Sequence, residues 1–496
     1  GKAPASLPRM GISKMPDGSH RPIFPSVLTP LTEEQAKKPL QRAFVVLQCF
    51  CIYISERNPP PRRRQEEMAC KAAIYTLGCK VNQYESEALM ELLQKEGFVE
   101  VNSGADVCII NTCAVTAESE RKARQTVRKA IKDNPGAYVL VTGCASQIHQ
   151  KEFSAIEGVD FVNGNREKKE LVAHILQYTE KGEKKRGQAV SDLTDLPYEE
   201  LELSSSERTR AFIKIEDGCE SRCAYCIIPQ ARGPVRSRLP ERCVAEAERL
   251  ADAGYKEIVL TGIEVSAYGQ DLKNTDLGDL ILALEKVEGL ERLRLSSIDP
   301  SFLRPAFVDK IADAAKLSPH LHLSLQSGCD ETLNRMRRKY NTALVLRNID
   351  YLRKRLPQIR FTADVIVGFP GETEEEFAKT CTFLGQLELL HTHVFPYSRR
   401  PGTEADRMPM QIPEEVKSRR SAELIGLCNR IRDRVLAQEE GKIYRVLFEQ
   451  GKKGLAVGHT ANFIEVAVKT DRHLTNSILP VRLGKNKEGI VEGFLE

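Results

Sequence analysis

From Ala72 onward the sequence alternates short apolar runs with longer amphipathic stretches, and it does so in two series separated by a polar break. That rhythm suits strands paired in parallel, with helical crossovers covering the sheet. In the first series "AAIYTLG" reads as a strand. "ESEALMELLQKEGF" reads as a helix with Ala88, Leu89, Leu92 and Leu93 on one face and Gly97 as its C-terminal cap. "DVCIINTC", "AYVLVTGC" and "VDFVNGN" are further strands, and "SERKARQTVRKAIKD" is a helix with a basic face. The pattern predicts an open α/β domain with a parallel sheet. Lys181 to Arg210 is polar and poor in large apolar residues, which predicts a linker.

The second series starts at "AFIKIEDGC" and continues with "EIVLTGI", "RLRLSSI", "LHLSLQSG", "FTADVIVGFPG" and "HTHVFPYS". About six consecutive βα units suggest a partial, TIM-like (β/α)6 barrel rather than a doubly wound sheet. A charged helix is expected from Pro413 to Glu440. Five short strands with turn residues between them follow, enough for a small all-β barrel of about 55 residues. The expected boundaries are an extension over 1–67, an N-terminal α/β domain over 68–180, a linker over 181–208, the barrel over 209–437 and the β-barrel over 438–496.

Residues 1–67 differ from the rest. They are rich in Pro and Arg ("NPPPRRRQEE"), lack a sustained period and start with Gly, so the functional protein is expected to begin near Met68 after a disordered extension. The alternative is a small subdomain with Ala43 to Ile54 as its core. That run is also the longest apolar stretch, at about a dozen residues where a bilayer needs roughly 20. Soluble, cytoplasmic placement without a membrane span is therefore expected. A formal net charge of +4 over 496 residues neither announces nor excludes a nucleic-acid partner. The 14 cysteines, spread through a Lys- and Glu-rich chain, point to a reducing compartment and to metals or core packing.

Cys219, Cys223 and Cys226, spaced Cys-x3-Cys-x2-Cys, lie on a loop just after the strand "AFIKIED". Barrel chemistry collects on loops at strand C-termini. A structural zinc site needs a fourth Cys or His, and none follows within the loop; three thiolates suit an iron–sulfur cluster with one open iron. Cys79, Cys113 and Cys144 each follow a predicted strand of the first series. In a parallel sheet those three ends share one edge, so the thiolates can converge; otherwise they are small buried residues under loops. Cys108 lies within its strand and points elsewhere. Cys243, Cys329, Cys381 and Cys428 have no partner spacing and read as small apolar residues. Cys49, Cys51 and Cys70 carry no argument.

The Cys-x3-Cys-x2-Cys loop, with Tyr225 between its last two cysteines, resembles the radical S-adenosylmethionine (SAM) enzymes. Together with "LGCKVNQYES", "INTCAVTAESERKAR", "VTGCASQ", "HLHLSLQSGCDETLNRMRRKY" and "DVIVGFPGETEEEF", it looks like the methylthiotransferases, and the last β-barrel is similar to their TRAM RNA-binding domain. The resemblance covers nearly everything from Ala72 to Glu496. Lys80-Val81-Asn82-Gln83 resembles the branch acting on N6-threonylcarbamoyladenosine at position 37 of tRNAs. The same chemistry on isopentenyladenosine tRNA or a ribosomal protein is the nearest alternative, and a zinc-bearing RNA-binding module the alternative of another class.

The resemblance implies a transferase with two 4Fe-4S clusters. Cys219, Cys223 and Cys226 would hold the one that cleaves SAM to a 5′-deoxyadenosyl radical; Cys79, Cys113 and Cys144 would hold the auxiliary one that carries the inserted sulfur. One SAM gives the methyl group and a second the radical. The target, carbon 2 of an adenine, is an unactivated C–H that no side-chain base removes at neutral pH. An electron donor of flavodoxin or ferredoxin type and a sulfur donor are also implied.

Gly262, Ser297, Gln326 and Asp364, at or near barrel strand ends, are candidate SAM contacts or strand-end packing. Arg232, Arg236 and Arg238 follow the cysteine loop and suit SAM's carboxylate or an RNA phosphate, or form a solvated basic loop. Lys122, Arg124, Arg128 and Lys129 suit tRNA backbone or a solvated helix face. Arg445, Lys452, Lys453 and Arg482, with Tyr444, Phe448 and Phe463 between them, suit RNA binding by the small barrel, though some of the aromatics must be core.

Overall fold

The computed structural model describes residues 70–496 other than Asp195, Glu207 and Lys453, and only the backbone of Gln450 and Lys452. The expectations for residues 1–67 and for Lys453 lie outside the described residues. Among the described residues no helix is long and apolar enough to cross a membrane.

The first series builds β1 (Lys71–Thr76), β2 (Val99–Glu100), β3 (Val107–Thr112), β4 (Tyr138–Gly143), β5 (Phe161–Asn163) and β6 (Gly187–Ala189). They form one sheet in the order β2-β1-β3-β4-β5-β6, parallel throughout. β3 and β4 are buried at every position, as strands covered on both faces must be, which is why their sequences are apolar runs rather than alternations. Helix α1 (Lys80–Lys95) covers one face with Leu89, Met90 and Leu93. On the other face lies α2 (Ala117–Asp133), whose Ala123, Val127 and Ala130 pack under β3 and β4. The Thr116 hydroxyl accepts the Ser119 N–H at 3.0 Å and so caps α2. A short helix, α3 (Cys144–Ile148), follows β4.

The polar segment expected to be a plain linker is packed instead. It supplies β6, and its Leu201 and Leu203 are buried against Tyr84, Ala88, Phe212 and Val259, with the Tyr84 hydroxyl donating to the Leu201 carbonyl at 2.5 Å. Widely spaced leucines in a polar stretch leave no periodic signal, yet each buried one contributes about 1.5–3 kcal/mol.

The second series gives β7 (Arg210–Lys214), β8 (Glu216–Asp217), β9 (Arg236–Ser237), β10 (Glu257–Thr261), β11 (Arg292–Leu295), β12 (Ser297–Ile298), β13 (His320–Gln326), β14 (Arg360–Val367) and β15 (His391–Pro396). β7, β10 and β11 pair in parallel, as do β12 to β15, and Ser296 alone separates β11 from β12. The result is the expected open (β/α)6 barrel, with helix α4 (Ile228–Arg232) in the cysteine loop between β8 and β9, a small antiparallel pair. Helix α5 (Glu414–Ala437) leads to a closed β-barrel in the order β16-β17-β18-β20-β19, from β16 (Ile443–Lys452), β17 (Leu455–Thr460), β18 (Glu465–Lys469), β19 (Ile478–Lys487) and β20 (Ile490–Leu495). One hydrophobic core runs from Ile213 and Leu293 through Leu424 and Ile431 of α5 to Val446 and Phe448.

Candidate active site

Cys79, Cys113 and Cys144 stand just past the C-terminal ends of the adjacent strands β1, β3 and β4. Gly78, at φ +106°, lets the first two loops meet: a Cβ there would lie 2.9 Å from the Cys113 Cβ and 3.0 Å from its Sγ. Cys79 is the N-cap of α1 and its thiol makes no capping bond; burial pushes that thiol up against the pull of Arg232. Burial, aided by neighbouring Cys144 and Cys79, pushes the Cys113 thiol up to about 11. The Cys144 Sγ lies 3.3 Å from the donor Arg232 Nε and 3.4 Å from Asn165 Nδ2.

Arg232 belongs to a buried charge cluster that crosses from the first domain into the barrel. Its guanidinium meets Glu85 at 2.6 Å and Asp217 at 3.2 Å; Lys214 meets both acids at 2.7 Å, and Lys168 meets Glu85 at 3.3 Å. Arg236 also lies 3.9 Å from Asp217, so four cations meet two carboxylates and the cluster carries surplus positive charge beside Cys144. That surplus suits an anionic thiolate centre.

The second trio rests on a loop that only glycine can start. At Gly218 (φ +92°) a Cβ would fall 1.9 Å from the Pro234 carbonyl oxygen. The Cys219 N–H donates to the Gly233 carbonyl at 3.0 Å, and the Cys219 Sγ accepts the Ser221 N–H at 3.4 Å. The Cys223 Sγ accepts from Arg338 Nη1 at 3.2 Å. Arg338 is held in turn by Asp299 at 2.8 Å and the Ser324 carbonyl at 3.1 Å, and lies over the Tyr340 ring. The Tyr225 ring meets Phe369 edge-on. Burial pushes the Cys219 thiol up to about 11 and Cys226 to about 12, so both stay protonated at neutral pH unless a metal takes the proton's place.

Just after Cys226, Ile227 and Ala231 at α4 are buried in the same core as Cys144 and Ala145 of α3. The two cysteine loops are therefore joined by packing as well as by the Arg232–Cys144 bond. Further along the same rim, the Ala117 N–H donates to Ser398 Oγ at 3.2 Å, and Glu120 of α2 pairs with buried Arg400. The strand-end edge of the first domain thus closes over the C-terminal mouth of the barrel. Neither trio is tight enough for one tetrahedral zinc, whose sulfurs would stand about 3.8 Å apart. Among the described residues the set of three His, Cys, Asp or Glu side chains whose donor atoms all lie within 4.8 Å of each other is His322, Asp364 and His393.

A cavity of 820 Å³ runs from Gly78 and Cys79 through the barrel interior to His459 and Phe463 of the small β-barrel. Cys219 opens on a second cavity of 630 Å³, lined also by Arg222, Gln147 and Ser191.

The profile described as "Radical SAM superfamily" matches residues 213–384, and that described as "Uncharacterized protein family UPF0004" matches residues 71–164. A relative named "Threonylcarbamoyladenosine tRNA methylthiotransferase MtaB", from Bacillus subtilis, is 41% identical over 423 residues, 83% of this chain and 93% of the relative. The chain belongs to the radical SAM methylthiotransferase family. A relative of the same name from Thermotoga maritima is 39% identical and covers 79% of this chain and 90% of itself. The "tRNA-2-methylthio-N(6)-dimethylallyladenosine synthase" of Carboxydothermus hydrogenoformans is 33% identical, covering 85% and 98%. The fold is shared with the radical SAM methyltransferase TsrM of Kitasatospora setae, at a TM-score of 0.52 and 16% identity over 68% of this chain and 75% of that one.

As a radical SAM methylthiotransferase the chain is a transferase whose superfamily implies a 4Fe-4S cluster and SAM. Gly262, Ser297 and Asp364 line the large cavity, and Gln326 does not. A Cβ at Gly262 would lie 2.6 Å from Glu216 Oε2, so this strand end needs glycine. Gln326 ends β13 at a register shift with φ +63°, a left-handed conformation that a side-chain-bearing residue adopts at a cost. The arginines after the cysteine loop are neither solvated nor open to a ligand, which corrects the expectation for Arg236. Its guanidinium donates to the carbonyls of Arg232 at 2.7 Å and Pro234 at 3.0 Å, because the tight turn at Gly233 folds those carbonyls back toward it. Buried Arg238 pairs with Glu246 and Glu200.

Of the expected RNA-facing set, Arg445 and Arg482 are exposed on the small β-barrel, each in a surface ion pair at 2.7 Å, with Glu291 and Glu496. Phe448 is core, and Phe463 stacks on His320 and His459 beneath Arg294 at the base of the barrel. On α2, Lys122 meets Glu118 and Arg124 meets Glu152. Cys108, Cys243 and Cys428 are buried core residues, as expected. Arg338, His322 and His393 were missed. For the histidines a signal existed: "HLH" in β13 and "HTH" in β15 place polar rings on alternate residues, hence on one face of a barrel strand.

Proposed function

We propose that the protein adds a methylthio group to carbon 2 of N6-threonylcarbamoyladenosine at position 37 of tRNAs. The observation that carries this reading is the pair of three-thiol loops at facing strand ends, joined through α4 and Arg232. The relatives named for threonylcarbamoyladenosine, at up to 41% identity against 33–35% for those named for dimethylallyladenosine, favour this substrate branch.

Cys219, Cys223 and Cys226 would hold one 4Fe-4S cluster, and Cys79, Cys113 and Cys144 a second. The donor chemistry fits: all six are free thiols, one trio faces a surplus positive charge and the other an arginine donor. When bound, the clusters and two SAM molecules supply the one-electron chemistry, the sulfur and the methyl group. The chain's own residues bind and orient. Arg338 and the Ser221 N–H hydrogen-bond the Cys223 and Cys219 sulfurs, and Arg232 and Asn165 do the same at Cys144. Gly262, Ser297 and Asp364 line the large cavity on which Cys79 opens. The adenine C–H is not acidic, so these side chains position a base rather than deprotonate it. A flavodoxin- or ferredoxin-type protein would supply electrons. The reduced thiols favour a cytoplasmic setting.

Two measurements test the reading. In cells lacking this protein, mass spectrometry of tRNA nucleosides should show threonylcarbamoyladenosine without its 2-methylthio derivative; an unchanged methylthio product rejects the substrate. After anaerobic reconstitution the protein should bind about eight iron per chain. The triple variant Cys79→Ser, Cys113→Ser, Cys144→Ser should bind about four, keep SAM cleavage and make no methylthio product. Product from that variant rejects the second cluster.

A further inference from the structure

In the large cavity Asp364 belongs to a polar group whose histidines the reading above does not use. His322 Nε2 lies 3.1 Å from Asp364 Oδ2, and the His322 Nδ1 lies 2.7 Å from the Thr362 hydroxyl. His393 completes the set, with donor atoms of all three within 4.8 Å of one another. These residues sit on neighbouring strands of the barrel interior, facing Lys80 at the first turn of α1.

Lys80 is the informative member. Three other cations line the cavity, and each has its own carboxylate: Arg210 meets Glu449 at 3.0 Å, Arg294 meets Glu257 at 2.6 Å and Arg432 meets Asp433 at 3.0 Å. Among the described residues Lys80 has no carboxylate within 4.0 Å. It follows Cys79 directly in the chain and lines the same cavity, where the Cys79 thiol and Asp364 favour its charge. A cation with no carboxylate in direct contact and a cluster of imidazoles in a cavity disfavour an apolar occupant and favour an anionic one that brings hydroxyl or amide groups.

On the reading that the substrate is a 37-modified adenosine, we infer that Lys80, with His322, Asp364 and His393, forms the pocket for the N6 substituent and selects a carboxylate-bearing one. The chemistry fits the geometry. Carbon 2 and carbon 6, which bears N6, flank the same ring nitrogen of adenine, so the pocket for the substituent must adjoin the place of reaction, and Lys80 lines the same cavity as Cys79. The threonylcarbamoyl group carries a carboxylate for the ammonium, and a hydroxyl and urea N–H groups for Asp364 and the imidazoles. Burial lowers the His393 pKa against the pull of Asp364, which favours the neutral ring, a donor at one nitrogen and an acceptor at the other. A dimethylallyl group offers none of these partners and would displace water from Lys80, Asp364 and His393 without replacing its hydrogen bonds.

The test uses the reconstituted full chain and anticodon stem-loop RNAs bearing threonylcarbamoyladenosine or its uncharged carboxamide at position 37. Wild type should favour the acid by at least about tenfold in kcat/KM, as a charge-assisted bond predicts. Lys80→Met and Lys80→Gln should lose that preference through KM, while Lys80→Arg should keep it. His393→Phe should weaken both substrates alike. Equal use of acid and amide by wild type, or a preference surviving in Lys80→Met, overturns the inference and leaves the functional reading standing. Methylthiolation of dimethylallyladenosine RNA alone defeats the functional reading itself. One divalent metal per chain beyond cluster iron, lost in His393→Phe, overturns the inference in favour of a metal site.

Discussion

Arg232 is the side chain on which the most depends. It is wholly buried, it pairs Glu85 of the first domain with Asp217 of the barrel, and it donates to the Cys144 sulfur. In the sequence it looks like part of a basic loop, "QARGPVRSR", since neither Glu85 nor Asp217 is near enough in the chain to announce a partner. Breaking a buried pair from one side leaves carboxylates without compensation, so Arg232→Met should cost about 3–5 kcal/mol. Denaturant unfolding checks this. A loss below about 1 kcal/mol would mean that Lys214 and Lys168 suffice. The cysteines were legible where Arg232 was not, because their signal is spacing and strand-end position, both of which survive without a third dimension.

At the scale of elements, the strands and helices were legible because their period follows from which faces are covered. The barrel strands, the five strands of the last domain and the two helices of the first series all appear where their patterns put them. The packed segment around Leu201 was not, because its contacts are single leucines reaching Tyr84 and Phe212 far along the chain. The site's loops depend on glycine for a reason visible only in space. Gly218→Ala forces a Cβ into the Pro234 carbonyl at a φ that disfavours any side chain. The Cys219 loop should therefore fail to assemble while the first domain's trio stays intact. Iron after reconstitution should fall from about eight to about four per chain, with SAM cleavage lost. Full iron and normal cleavage in this variant would show that the loop tolerates another path.

The whole molecule is held at its seams by carboxylates, and this gives it a pH dependence. Burial alone would raise Glu85, but Arg232, Lys168 and Lys214 hold it well below the usual carboxylate range at the seam between first domain and barrel. Glu120 is likewise taken down to about 2 against its burial, by His149 of its own domain and by Arg400 across that seam. At the base of the barrel Arg294, Arg210 and Arg292 hold Glu257 at about 2, and Arg292 reaches across to the carbonyls of His459 and Arg445 in the small β-barrel. A carboxylate with a depressed folded pKa stabilises above its unfolded value of about 4.3 and loses that contribution as pH falls toward the folded value. For Glu120 the stake is about 3 kcal/mol. His149 works in the opposite sense: Glu120 raises its pKa, so its contribution is complete below about 6.5 and fades as pH rises through the folded value. Burial raises the interior acids Glu216 and Glu264, which lie within the barrel and do not bridge domains. Acid should therefore part the domains before it melts them. Between about pH 4.5 and 2 the radius of gyration from small-angle X-ray scattering should rise while far-ultraviolet circular dichroism still reports intact helices and strands. Glu120→Gln should bring that expansion to higher pH, because half of the seam's acid-sensitive pairing is already gone. If scattering stays unchanged until the circular dichroism collapses, the seams are held by apolar packing such as Ile227 and Ala231 in the first domain's core, and the ion pairs only set their register.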